Sequence, residues 1–184
     1  KEMKRNTKDK EIQKIIEGIL ERRNQNRGAM MEKVLMVIDG NSLLHRAFYA
    51  LPVLSNKKGV FTNAVYGFLN MLLKLVNDYR PYSLAVAFDK KAPTFRHKAF
   101  EAYKGTRQKA PEELVPQFEL AREAMNQMDI PIYEIDGYEA DDILGTISKF
   151  CGSPDQHVLL VTGDKDALQL VSGYTNVLLT QKGI

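Results

Sequence analysis

The chain has 184 residues, 44% of them hydrophobic and 27% charged, which suits one soluble globular domain with a real core. No apolar run approaches the ~20 residues of a membrane helix, and the single cysteine, Cys151, excludes an internal disulfide or a cysteine zinc cluster. The formal charge of +3 is concentrated in residues 1–30, which hold nine Lys/Arg against five Asp/Glu; the remainder, with 17 against 18, is close to neutral, so any nucleic-acid binding must use a local basic patch.

Residues 1–30 carry Ile12, Ile15, Ile16, Ile19 and Leu20 at helical spacing between polar flanks. The expectation is one amphipathic helix, an extension that docks on the domain or a partner, or a leader ahead of Met30-Met31. The opening Lys-Glu-Met-Lys-Arg-Asn has no apolar export core, and a reducing cytoplasm is the expected setting. A second segment, 31–184, alternates strands with helices. Val34–Ile38 is a continuous apolar run, as in a strand buried on both faces. Ser42–Leu51 and Asn63–Tyr79 read as helices, the latter stopped by Pro81. Leu84–Phe88 is a second strand, Pro111–Met128 a helix, Ile130–Ile135 a short strand and Glu139–Phe150 a helix. Val158–Val161 is a strand, Ala167–Val171 a short helix and Asn176–Leu179 a last strand. This order predicts an α/β fold, a mainly parallel sheet with helices on both faces.

Three of these strands run into aspartate: Asp39, Asp89 and, past a Thr-Gly turn, Asp164. Parallel strands share a direction, so their C-terminal ends meet at one edge, where open α/β sheets bind ligands. Glu139, Asp141 and Asp142 open a helix, and Asp164 and Asp166 share the Gly-Asp-Lys-Asp turn. Each acid alone has an ordinary explanation. Acids in a first helical turn complement the helix dipole, and an Asp after a strand is often an N-cap. Seven converging from four segments point to an oxygen-rich site for a hard cation, Mg²⁺ or Mn²⁺.

Residues 90–109 leave this edge directly. Lys90, Lys91, Arg96, Lys98, Lys104, Arg107 and Lys109 face one acid, Glu101, with Phe95, Phe100 and Tyr103 interleaved. Cations neutralise phosphates and aromatic rings stack on unpaired bases. The alternative is a solvated helix with its rings turned inward. With few aliphatics to bury, the stretch is expected to be a mobile arch rather than a core element.

Together, Leu-Met-Val-Ile-Asp-Gly-Asn-Ser-Leu-Leu-His-Arg-Ala-Phe-Tyr-Ala-Leu-Pro, Ala-Phe-Asp, Thr-Phe-Arg-His, Tyr-Lys-Gly-Thr-Arg, Gly-Tyr-Glu-Ala-Asp-Asp and Thr-Gly-Asp-Lys-Asp, in this order from Lys33 onward, resemble a family. It is the 5′→3′ exonuclease domain of bacterial DNA polymerase I and its stand-alone flap-endonuclease relatives, within the PIN-like nucleases. The resemblance implies a resolvase-like core with a helical arch, and a two-metal nuclease of DNA replication and repair that acts near a free 5′ end or 5′ flap. It assigns Asp39, Asp89, Glu139, Asp141 and Asp142 to a first metal cluster and Asp164 and Asp166 to a second. It gives Lys104 and Arg107 the scissile phosphate, puts Arg96 and His97 in the arch, and makes Tyr49 and Phe61–Tyr66 resemble DNA-end contacts. Lys98, Tyr103 and Lys109 complete the expected DNA-binding set. The family's later Gly-Asp-x-Ser-Asp-Asn motif, helix-hairpin-helix region and polymerase domain are not among these residues, so the expectation is a nuclease core lacking its C-terminal part. The competing expectations are a metal- and DNA-binding fragment with little turnover, or a PIN-type ribonuclease, against which the long basic segment counts.

Overall fold

A computed structural model describes residues 33–90, 92, 94–100 and 109–180, within the unit Lys33–Ile184. The helix expected around Ile12–Leu20 lies outside the described residues, as do Tyr103, Lys104 and Arg107. The sheet has five strands in the order β3-β2-β1-β4-β5, all parallel. They are β1 Lys33–Asp39, β2 Ser83–Ala87, β3 Ile132–Tyr133, β4 Gln156–Thr162 and β5 Thr175–Leu179. The helices are α1 Gly40–Ala50, α2 Asn63–Tyr79, α3 Phe95–Ala99, α4 Val115–Gln127 and α5 Ala140–Cys151, with a 3₁₀ helix at Lys165–Leu170. None is long and apolar enough to cross a membrane.

The period-two alternation of the strands sorts the core into two layers. Met36, Ile38, Val86, Phe88 and Val161 pack with Leu43, Leu44, Phe68, Leu72 and Met125 of α1, α2 and α4. Val37, Ala87, Val158 and Leu160 pack on the opposite face with Ile143 and Leu144 of α5. The central β1 is covered on both faces, which is why Val34–Ile38 reads as an unbroken apolar run.

Boundaries depart from expectation where local chemistry intervenes. The fourth helix starts at Val115 rather than Pro111; a turn spans 112–114, and Pro116, which has no N–H to lose, sits in the first helical turn. The third strand shrinks from 130–135 to Ile132–Tyr133: Ile130 donates its N–H to Met125 O, Pro131 contributes only its carbonyl, to Val86 N–H, and among the described residues no strand lies outside β3. The short helix beyond β4 is a 3₁₀ turn at 165–170. The α2 boundaries agree, and Arg80 ends the helix in the left-handed region, φ 44°, immediately before Pro81.

Candidate metal centre and nucleic-acid interface

The order β3-β2-β1-β4-β5 reverses direction at β1, and the C-terminal edge there is the crevice open α/β sheets use. Register fixes what lies on it. Asp39 pairs with Ala87, so Asp89 stands two residues further out on the β2 side; Ile38 pairs with Val161, so Thr162 stands beside Asp39.

Asp39 is buried to 4% exposure. Its Oδ1 accepts Ser42 N–H at 2.9 Å, capping α1, and its Oδ2 accepts the Thr162 hydroxyl at 2.7 Å. Its pKa is raised to about 6. Burial is the largest cause, the Ser42 and Thr162 hydrogen bonds oppose it, and the charges of Asp141 and Asp89 add to it. Asp89 forms a reciprocal pair with Asn41: Asn41 Nδ2 donates to Asp89 Oδ2 at 3.2 Å, and Asp89 N–H donates to Asn41 Oδ1 at 3.0 Å. Asp89 Oδ1 accepts Ala140 N–H at 2.7 Å, fastening the start of α5 to the end of β2. Arg122 of α4 lies over the Phe88 ring, pairs with Glu134 and reaches the Asp89 carbonyl at 3.2 Å.

Glu139 and Asp142 form a capping box at the α5 N-terminus. Arg96 of α3 grips Asp142 with two 2.7 Å hydrogen bonds and stands 3.8 Å from Glu139. Phe95 packs on Tyr138, and its N–H bonds Gly137 O at 3.0 Å. The first helix of the basic segment is thus tied to the loop that opens α5. Phe95 and Phe100 remain 48% and 70% exposed, outside the core. Asp164 caps the 3₁₀ turn by accepting Asp166 N–H at 2.9 Å, and Asp164 N–H bonds the Thr162 hydroxyl at 3.0 Å.

A cleft of about 440 Å³ lies between α5 and the 3₁₀ turn, lined by Arg96, Asp141, Asp142, Lys149, Phe150 and Asp166 among others; Asp39, Asp89, Glu139 and Asp164 do not line it. A larger groove of about 650 Å³, walled by Leu35, Leu84, Ile143 and Ile147, borders only Asp142 of the seven acids. Asp39, Asp89 and Asp141 lie near enough for the charges of the latter two to act on the first. As placed, no three His, Cys, Asp or Glu side chains among the described residues are gathered tightly enough to hold one ion. Like charges spread apart, and five of the acids are turned to backbone N–H groups as caps. The donors nevertheless fit a hard cation: they are all carboxylate oxygens, and the carboxyl at their centre is held at a raised pKa that a positive charge would relieve.

Of the expected DNA contacts, Lys109, Tyr49 and Tyr66 are exposed, and His97 and Lys98 lie in α3. Asn63 and Ala64 are fully buried, which removes them from any DNA-end surface. The sequence alone does not mark Asn41, Thr162 or Arg122 as part of the site. Their types and positions, beside a strand end or within a helix, are common and carry no distinctive spacing.

A family model described as 5′-3′ exonuclease, N-terminal resolvase-like domain matches residues 34–183. DNA polymerase I of Bacillus subtilis (strain 168) is 50% identical over 152 residues, covering 83% of this chain and 17% of that protein. DNA polymerase I of Bacillus caldotenax is 49% identical over 154 residues, 84% of this chain and 18% of that protein. The chain therefore spans less than a fifth of these relatives' length. The T5 5′-exonuclease solved with divalent metal ions (zinc) superposes with a TM-score of 0.61 at 28% identity, covering 80% of this chain and 55% of that one. The bacteriophage T5 flap endonuclease, solved as a pseudo-enzyme-product complex with DNA and metal ions, gives 0.61 at 26% identity over the same shares. A match from residue 34 to 183 that takes in the strand-end aspartates, the basic segment and the Gly-Asp-Lys-Asp turn makes this chain a member of the 5′-3′ exonuclease N-terminal resolvase-like family.

Proposed function

We propose that residues 31–184 form the core of a divalent-metal-dependent nuclease that hydrolyses phosphodiester bonds of DNA near a free 5′ end or 5′ flap, with Mg²⁺ or Mn²⁺ as the native ion and two ions in the working site. The observation that carries this reading is Asp39, buried at a sheet edge with its pKa raised to about 6 and with Asp89 and Asp141 adding to that shift by charge. A buried carboxyl at the crevice of a parallel sheet, with two further acids acting on it by charge, is costly for folding and useful for holding cations. Asp39, Asp89, Glu139, Asp141 and Asp142 would hold one ion and Asp164 and Asp166 the other. Divalent ions there supply Lewis acidity toward the phosphodiester and lower the pKa of water.

The chain's own residues do the rest. Asn41 and Ala140 N–H fix the Asp89 carboxylate, and Arg122 fixes its backbone. The basic segment, with Arg96, Lys104, Arg107 and Lys109, neutralises the strand's phosphates, and its aromatics offer faces to unpaired bases. The test is a cleavage assay of the 184-residue chain on 5′-flap DNA in Mg²⁺, Mn²⁺ and EDTA, beside an RNA of the same shape. Slow, metal-dependent cleavage of the flap DNA is expected from these residues alone, with Asp89→Asn and Lys104→Ala each lowering the rate by about 100-fold or more. Cleavage that persists in EDTA overturns the metal dependence, and preference for the RNA overturns the substrate class.

A further inference from the structure

Thr162 is the last residue of β4 and is fully buried. A threonine hydroxyl has one proton to donate and lone pairs to accept with. Here the proton goes to Asp39 Oδ2 at 2.7 Å, and a lone pair takes Asp164 N–H at 3.0 Å. The amide fixes the rotor, so the proton has one direction left, toward Asp39. The Thr162 backbone is fastened as well: its carbonyl accepts Thr180 N–H at 2.9 Å and the Thr180 hydroxyl at 3.3 Å. A second strap runs in parallel, Gly163 N–H to Ser42 Oγ at 2.8 Å, from the same turn to the helix that Asp39 caps. One buried hydroxyl therefore bonds the carboxylate of Asp39, in one of the two groups proposed above as separate ion sites, and the backbone N–H of Asp164, in the other.

We propose that Thr162 is a positioning residue that registers Asp39 against Asp164, so that the two acidic groups stand at a fixed separation for divalent cations. This inference rests on the metal-dependent reading above. A purely structural threonine would also satisfy Asp39 Oδ2, but its loss would lower folding stability without changing how the folded protein binds metal. Outer partners that orient ligating carboxylates typically change metal affinity by about 10–100-fold when removed.

The experiment is a calorimetric Mn²⁺ titration of the full chain. Thr162→Val, close to an isostere without the hydroxyl, is expected to weaken Mn²⁺ binding by about 10–100-fold with the circular dichroism spectrum kept. Thr162→Ala removes the same group without adding bulk and carries the same expectation if the valine variant does not fold. Thr162→Ser, which keeps the hydroxyl, is expected to bind close to wild type. In an Asp39→Asn background, Thr162→Val is expected to add much less than it does alone. Wild-type affinity in the valine or alanine variant, or a serine variant as weak as valine, overturns the inference and leaves the metal reading standing. A wild-type chain that takes up no Mn²⁺ overturns the metal reading and this inference with it.

Discussion

Asp39 sits at 4% exposure with a carboxyl that titrates near 6 instead of 3.8. A pKa raised by folding means that the folded state holds the proton more tightly than the unfolded chain. The resulting stability is present in full below about pH 3.8 and is lost as pH rises through about 6. The two-unit gap corresponds to at most about 3 kcal/mol. Metal-free protein should therefore lose stability between these pH values, and Asp39→Asn should flatten that slope and melt higher at neutral pH, as read by thermal denaturation across a pH series. An equal or lower melting temperature for the amide at pH 7 would contradict the cause assigned to the shift. Arg122 makes the opposite case. Arg122→Met removes the partner of half-buried Glu134 and the donor to the Asp89 carbonyl, and about 3 kcal/mol should be lost in urea titration. Asp39, Asp89 and Asp164 are legible in the sequence because a carboxylate ending an apolar run stands out. Asn41, Thr162 and Arg122 are not, because their roles exist only once segments 12 to 123 residues apart are brought together.

At the scale of elements, helix starts decide much of the geometry. Thr62, the residue before α2, gives no side-chain cap. Gln117 of α4, fully buried, accepts Ala64 N–H at 2.7 Å and Val65 N–H at 3.2 Å and donates to Asn63 Oδ1 at 2.9 Å. Gln117→Leu strands two backbone donors, and a loss of about 2–4 kcal/mol is expected in denaturant unfolding. Such a cap is borrowed across 53 residues and leaves no local signature, whereas the capping box at α5 is local and readable. In that box the Glu139 and Asp142 carboxylates already serve the helix, so the proposed ion binding would not have to compete with capping as their explanation. The α3 foot of the basic segment keeps Phe95 and Phe100 out of the core, as a segment that is not a core element should, and is tied through Arg96 to Asp142. Arg96→Gln should speed hydrogen exchange of residues 95–100 while leaving β1 and β4 protected, and unchanged exchange would show that Phe95 and Tyr138 suffice as an anchor.

For the whole molecule, strand count and direction followed from the alternation of apolar runs with helical periodicity. Strand order did not, because periodicity says which face is buried and nothing about which strand is the neighbour. The order places Asp39, Asp89 and Asp164 along one edge, so a cation there binds the folded form alone. Mg²⁺ at about 100 times its dissociation constant should add about 2.7 kcal/mol of stability, visible as a higher melting temperature that EDTA reverses. No shift at saturating Mg²⁺ would mean that the folded chain holds no usable ion. The pairing of β1 with β4 has a further consequence for the life of the chain. Asp39 and Thr162 touch across 123 residues, and ribosomes add roughly 5–20 residues per second. Roughly 6 to 25 seconds therefore separate the synthesis of the first acid from that of its partner. During that interval β1 lacks its β4 neighbour, and until residues 83–87 are made it lacks β2 as well, so its open edges are exposed to mispairing before the acidic edge is assembled.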